Sequence, residues 1–360
     1  MVEGRPTIAD VARGAGVSKG AVSFAFNGRA GVSADTRGRI IAVADELGWR
    51  PSQRARSLSR SRAFSLGMVI ARPPALLGAD PFFPAFIAGV ESVLIEYGQS
   101  LVLQVVPTLP AEEAGYRRLA ADGRVDGVFL TDLRHDDTRI ALLRSIGLPA
   151  VTLNRPDVPS PFPAVCVDDR PAVMGAVRHL IGLGHRRIAH VAGPAHFLHG
   201  SGRRQAWSTA LAEAGLPAAP VASGDFSAAG GAAATRALLS SADPPTAVVY
   251  ANDLMAIAGL TTAHDVGRLV PEQLSVIGFD DTELAAHVHP PLSTVRIDTF
   301  GWGQAAARTL LALIDGQHQG DLELAPAELV LRQSTAAPSA ATPGPRSRRP
   351  RRIVTIEENS

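Results

Sequence analysis

Two clusters of side chains near the start of the chain have the chemistry of nucleic-acid contact. In residues 7–27, TIADVARGAGVSKGAVSFAFN, two short helical patterns flank a break at Gly14 and Gly16. On the second pattern Val22 and Phe26 share a face by i, i+4 spacing and turn toward the first, whose apolar face is Ile8, Val11 and Ala12. Lys19, Gly20, Ser23, Phe24 and Asn27 fall on the opposite side, small polar groups and a cation around one aromatic ring. Helix-turn-helix units offer their second helix to the major groove in this way. The second cluster is RPSQRARSL, residues 50–58, where Pro51 and Ser52 open a short helix carrying Arg54, Ala55 and Arg56, with Leu58 near its end. An arginine-flanked apolar side chain directly after a three-helix reader suits a minor-groove wedge, pushed between base steps to unstack them.

A third set of residues recurs at one kind of place. Pro81-Phe82-Phe83, Asn154-Arg155, Asp168-Asp169, then Phe197, His199 and Arg203, and further on Asp225-Phe226, Asn252-Asp253 and Asp280-Asp281 all follow short apolar runs. In open α/β sheets, ligands bind beyond the carboxyl ends of strands. An arginine, carboxylates, amides and aromatic rings in one cleft suit a polyhydroxylated ligand, whose hydroxyls pair with the polar groups while rings cover its apolar face. Two members have a structural alternative: Asp280 as a helix cap and Arg203 as an ion-pair partner.

The elements that must position these residues are legible in the hydrophobic pattern. Thr7, with Asp10 three residues on, resembles a capping box; Ser18 and Ser33 stand at expected helix starts. Ile40, Ala44 and Leu47 close a three-helix core, and Pro51 ends it. From Phe64 onward apolar runs at 66–70, 101–106, 125–130 and 150–153 alternate with helical stretches such as 84–97 and 136–146. A second series follows at 165–167, 188–191, 247–250 and 275–279. Such alternation means parallel sheets covered by helices, and two series mean two lobes. Crossings between lobes are expected near Phe162, near 290–292 and near 315–320, giving a first lobe of 63–161 with 292–316 and a second of 162–291 with 321–335.

Charge is distributed unevenly. Residues 1–62 hold eleven basic against five acidic residues and 337–360 hold five against two, yet the 360-residue chain totals only +1. The body between is therefore acidic, which assigns a polyanionic partner to the front module alone. A single cysteine, Cys166, excludes an internal disulfide and fits a reducing compartment. With no long uncharged apolar run and no apolar leader, a cytoplasmic protein without a membrane partner is expected. The chain has no G-x-G-x-x-G after a strand, no P-loop, no G-x-S-x-G nucleophile elbow between a strand and a helix, and no H-E-x-x-H, so neither an enzyme nor a cofactor or metal is expected. The segment from 336 to 360 is Ala/Pro/Ser-rich, then Arg-rich, and is expected to be disordered; it has no leucine and no heptads for a tetramer.

TIADVARGAGVSKGAVS, GVSADTRGRI and ELGWRPSQRARSL in front, with HLIGLGHRRIAHVAGP, SGRRQAW, VVYANDLMA and LSVIGFDDTE behind, resemble the lactose-repressor/galactose-repressor (LacI/GalR) family of bacterial transcription regulators from Thr7 to about Gln333. The resemblance implies an all-α helix-turn-helix DNA-binding domain (1–49) plus hinge helix (50–62), joined to an α/β two-lobe periplasmic-binding-protein-like domain with parallel sheets (63–335). It implies a homodimeric repressor whose affinity for pseudo-palindromic double-stranded operator DNA is set allosterically by a small-molecule effector, a sugar. The alternative is an activator or corepressor-dependent regulator answering to a non-sugar metabolite such as a nucleoside. Carried over, Lys19, Gly20 and Phe24 read bases, Ser18, Ser23 and Asn27 hold phosphates, Thr7 joins the DNA-contacting set, and Leu58 is the wedge beside Arg54, Ala55 and Arg56. Arg203, Asn252 and Asp280 would grip the effector and Phe226 would stack on it, with Phe83, Asn154, Asp168, Phe197 and His199 as looser members of the site. This chain departs from the family at Gly20, which has no side chain to read a base, at Ala21, which lacks a common hydroxyl, and at Asp169, where many members have Asn. Phe24 also replaces a polar reader; it either packs inward or meets a thymine methyl, and its direction about 160° from Val22 favours the second.

Overall fold

The computed structural model describes residues 6–27, 30–50 and 62–339. Helices α1 (Ile8–Gly14), α2 (Lys19–Phe26) and α3 (Ala34–Glu46) enclose a core of Val11, Ala12, Ala15, Val22, Ala25, Ile40 and Ala44. Local chemistry sets each helix start. The N–H and hydroxyl of Thr7 both donate to Asp10, at 2.9 and 2.7 Å. Ser18 Oγ accepts from the Ala21 N–H at 3.1 Å, and Ser33 Oγ from the Thr36 N–H at 3.2 Å, satisfying amides that a helix start leaves open. The end of α3 differs from expectation. Gly48 at φ 63° turns the chain and the Trp49 N–H returns to the Ala44 carbonyl at 2.8 Å, so a left-handed glycine, not Pro51, stops the helix. Leu47 is exposed as a result, and Trp49 takes its expected place, edge-on to Phe26 at 5.3 Å.

The chain is fixed where it enters the body. Asp126 accepts from the N–H groups of Ala63 and Phe64 at 2.7 and 2.8 Å, and Arg62 pairs with Asp315 at 2.7 Å. The first lobe comprises β1 (Ser65–Ala71), α4 (Pro74–Ala79), α5 (Phe82–Glu96), β2 (Ser100–Val106), α6 (Leu109–Ala121), β3 (Gly127–Leu130), α7 (Thr138–Ser145), β4 (Ala150–Leu153) and β5 (Ala164–Cys166). The second comprises α8 (Arg170–Gly182), β6 (Ile188–Ala192), α9 (Leu198–Glu213), β7 (Val221–Ser223), α10 (Ala228–Leu239), β8 (Ala247–Tyr250), α11 (Asp253–Asp265), β9 (Ser275–Ile277) and α12 (Glu283–His287). The chain then passes back and forth through β10 (Thr294–Arg296), α13 (Thr299–Ile314), β11 (Leu322–Glu323) and β12 (Glu328–Val330).

Both main sheets are parallel: β11-β5-β4-β3-β1-β2 in the first lobe and β7-β6-β8-β9 in the second, while β10 and β12 pair antiparallel. Strands covered on both faces read as unbroken apolar runs, as GVFL, AVTL and AVVY do here. Residues 165–167, expected to open the second lobe, instead extend the first sheet: Leu153 pairs with Val165 and Glu323 with Cys166. The chain crosses three times, but each crossing falls later than expected, at 166–170, 296–299 and 323–328. A local pattern marks a strand without saying which sheet it joins.

Helices α5 and α13 approach so closely that a methyl on Gly89 would lie 2.0 Å from the Phe300 carbonyl oxygen, and one on Gly303 2.3 Å from that of Phe86. The body also runs past the expected boundary at 335. The Ala336 N–H donates to Ser275 Oγ at 3.0 Å and its carbonyl accepts from His185 Nε2 at 2.8 Å. Residues 340–360 lie outside the described residues.

Candidate DNA-reading face and effector cleft

On α2 the expected polar face is outward. Ser18, Lys19, Gly20 and Phe24 are exposed; Ser23 and Asn27 are partly so, joined by a 3.3 Å hydrogen bond from Asn27 Nδ2 to Ser23 Oγ. Ser18 also caps the helix, and the hydroxyl of Thr7 is spent on Asp10, so these two do local work besides any external contact. Arg54, Ala55, Arg56 and Leu58 lie outside the described residues.

The larger site opens between the lobes. Its empty space, counting the part open to solvent, is about 660 Å³. Of the nine effector residues expected from sequence, Asn154, His199, Arg203, Phe226, Asn252 and Asp280 line it. Asp168 does not. Beyond β5 the backbone still alternates, so Val167 and Asp169 face the cavity while Asp168 turns out to Arg170 at 2.9 Å. Phe83 is likewise displaced by its neighbour: Phe82 lines the cavity beside Trp302, and Phe83 sits in the core behind it. Phe197 forms a second layer, stacked on His199 at 5.3 Å.

Two arginines organise the cleft. Arg203, on α9, donates from Nε to Asp169 at 2.8 Å and from Nη1 to the Ala251 carbonyl at 2.8 Å, with its guanidinium carbon 3.4 Å from the centre of the Phe279 ring. Arg72, just past β1, was not expected from sequence. It forks onto Asp132 with two bonds of 2.7 Å and donates a third to Asp80 at 2.8 Å. Its guanidinium carbon lies 5.3, 5.4 and 5.3 Å from the ring centres of Phe83, Phe197 and Phe226, so a cation of the first lobe rests among rings of both lobes. Asn252 caps α11 through the Met255 N–H at 3.0 Å and donates to the Phe226 carbonyl at 3.0 Å; it therefore fixes the aromatic plate. Asn154 Oδ1 accepts from the Val167 N–H at 2.8 Å.

Backbone strain concentrates here. Seven non-glycine residues among those described have positive φ, and Asp132, Asn154, Phe226 and Asp280, at 50°, 69°, 68° and 118°, line the cavity. Such conformations cost energy and cluster where geometry matters more than stability. Electrostatics are also shaped by burial. Burial and the like charge of Asp253 push the Asp280 carboxyl well above the usual carboxylate range, against the pull of Arg203. Burial raises Asp80 as well, with Arg72 opposing. At Asp132 burial again acts upward, but Arg72 prevails and the carboxyl stays below its ordinary value. Burial, helped by Arg203, drives His199 down to about 3, so its ring stays neutral at physiological pH.

The lobes also touch directly at the cleft. The Leu198 N–H donates to the Leu133 carbonyl at 2.8 Å and the His135 N–H to the His196 carbonyl at 3.2 Å. His135 bridges Asp157 of its own lobe and Ser201 of the other, at 2.8 and 2.9 Å. The loop that carries Asp132 and this clasp is pinned from beneath by Arg139, fully buried, which bonds Asp137, Glu112 and the Asp132 carbonyl.

Comparison with known proteins agrees with this architecture. Residues 7–52 match the family described as bacterial regulatory proteins, lacI family, and residues 177–335 match the periplasmic binding protein-like domain. The HTH-type transcriptional regulator CelR of Thermobifida fusca is 37% identical over 319 residues, spanning 87% of this chain and 93% of that one. The chain belongs to the lacI family. Another member, the HTH-type transcriptional repressor CytR of Escherichia coli K12, is 33% identical over 92% of this chain and 96% of its own length. Among solved lacI-family structures, the CelR–cellobiose complex superposes with a TM-score of 0.71 at 35% identity, covering 92% of this chain and all of that one. The lac repressor dimer bound to operator and the anti-inducer ONPF gives 0.81 at 30% identity, over 93% of this chain and all of that one. As a lacI-family member the chain is a sequence-specific DNA-binding transcriptional regulator, with an α-helical reader and an α/β periplasmic-binding-protein-like body. No helix among the described residues is long and apolar enough to cross a membrane.

Proposed function

We propose that this regulator is a cytoplasmic, non-catalytic homodimeric repressor of a pseudo-palindromic operator, and that a neutral sugar of one or two rings, bound between the lobes, releases it. The charge ledger of the cleft carries the reading. Each arginine is already neutralised, Arg72 by Asp132 and Asp80 and Arg203 by Asp169, while Asp280 has no ion pair among the described residues. A phosphate or carboxylate entering there meets cations already spent on carboxylates. A polyol instead finds acceptors in Asp280 and Asp169 and rings in Phe82, Phe226 and Trp302. The cellobiose held by a relative is in keeping with this class.

A dimer is supported by the edge strand β2. It ends the first sheet with Leu103 and Val105 exposed, and Ile95, Tyr97 and Leu109 extend the apolar surface around it. Two readers related by a two-fold axis then meet half-sites about one helical turn apart. The effector acts only through its differing affinity for two lobe arrangements, a coupling of about 1–3 kcal/mol in typical cases.

The test selects DNA from a random pool with the full chain, then titrates the bound duplex with neutral mono- and disaccharides, their phosphates and nucleosides. A neutral sugar is expected to release the duplex, and Arg203→Ala to keep DNA binding but lose the response. Release by a sugar phosphate alone, or a normal response from Arg203→Ala, overturns the cleft assignment.

A further inference from the structure

The reading helix of this chain presents an aromatic ring where hydrogen-bonding readers are usual, and the surroundings of that ring are specific. Phe24 is 39% exposed and takes no part in the core that holds Val22 and Ala25 on the same helix. Gly31, at φ 111°, lies beside one edge of the ring: a methyl added there would sit 3.4 Å from Cδ2 and 3.6 Å from Cε2. One turn earlier on the same face stands Gly20, where an added methyl would meet only Ser18 Oγ, at 3.6 Å. The face therefore offers an exposed apolar ring next to an open notch, with Lys19 beside it.

A ring has no donor or acceptor for the base edges of the major groove, whose one apolar marker is the 5-methyl group of thymine. We infer that Phe24 is a methyl reader: it selects thymine at one position of each half-site, and the notch at Gly20 admits the methyl against the ring. The inference rests on the assignment of the chain as a DNA-binding regulator and deepens it by naming what this helix recognises. The expected discrimination is that of burying one methyl, about fourfold per site.

The experiment uses the full chain and the duplex it selects from a random pool. Each thymine is replaced in turn by deoxyuridine, which deletes only the methyl. One thymine per half-site is expected to lose about fourfold in affinity on this change, and Phe24→Ala is expected to bind both duplexes equally. Binding to unrelated duplex, with its salt dependence, should be unchanged in Phe24→Ala, which shows that the reader still folds. If every uracil duplex binds as tightly as its thymine parent, or if Phe24→Ala still discriminates, the methyl reading is wrong and the regulator assignment stands. If no duplex is selected at all, both fail.

Discussion

Arg72→Met tests the electrostatic account of the cleft most directly. The guanidinium makes three bonds of 2.7, 2.7 and 2.8 Å, and the side chains of Arg72, Asp80 and Asp132 are only 6, 9 and 12% exposed. Methionine fills much of the space between the three phenyl rings but leaves two carboxyl groups buried without a counter-charge. Removing one partner of a buried pair costs about 3–5 kcal/mol, which for a lobe of this size is on the order of 10 °C in Tm. The cost has a pH signature. In the parent, Arg72 holds Asp132 below its ordinary value against the push of burial, so that carboxylate stabilises the fold above the unfolded pKa and the contribution is lost as pH falls. Without Arg72, burial governs both carboxyls, and the folded state binds protons more readily than the unfolded one. The deficit of the variant is therefore full at neutral pH and shrinks toward pH 4.5. Urea melts of parent and variant at pH 7.5 and 4.5 measure both quantities, and adding Asp80→Asn and Asp132→Asn to the variant should recover most of the loss at pH 7.5. A variant as stable as the parent at pH 7.5, or a deficit that does not change with pH, refutes the account.

Three further outcomes are expected. Leu198→Pro deletes the N–H that reaches the Leu133 carbonyl while keeping a residue that a first helical position tolerates; relative to Leu198→Ala it should weaken effector binding about fivefold by calorimetry, the worth of one hydrogen bond. Gly89→Ala and Gly303→Ala each drive a methyl into the facing helix backbone and should lower the urea midpoint by the equivalent of about 1–3 kcal/mol; unchanged midpoints would mean the helices can separate freely. Burial, the leading cause, lowers His190 and His199 to about 4 and about 3, so each favours the fold above the unfolded histidine pKa of about 6.5 and loses that contribution as pH falls below it. Stability should drop by up to about 1.4 kcal/mol per pH unit for each ring between pH 6 and 5, and His199→Gln should flatten that slope.

The sequence exposes most of the site because one rule, that residues just past parallel strands face the ligand, is local. Asn154, Arg203, Phe226, Asn252 and Asp280 were found that way and do line the cavity. The same rule covers Arg72, directly after β1, and Asp132, two residues past β3, and both line the cavity. Asp168 and Phe83 failed by a single residue, since which of two neighbours points inward depends on a backbone phase that side-chain type does not record. Trp302 was beyond reach: it lies on α13, over a hundred residues from β5, yet its indole N–H donates to the Val165 carbonyl there. The lobe membership of β5 and β11 is likewise a property of pairing between distant segments, invisible to any window of the chain.

Asp126 grips the two amides at which the chain enters the body, and Arg62 is staked to Asp315 at the far end of α13. Residues 62–64, the first described residues of the body, are thus tied to the first lobe and to the end of α13. When that lobe turns, the point at which the chain enters the body turns with it. A rotation of the first lobe is therefore carried to residue 62, the side of the body that faces the DNA module in sequence.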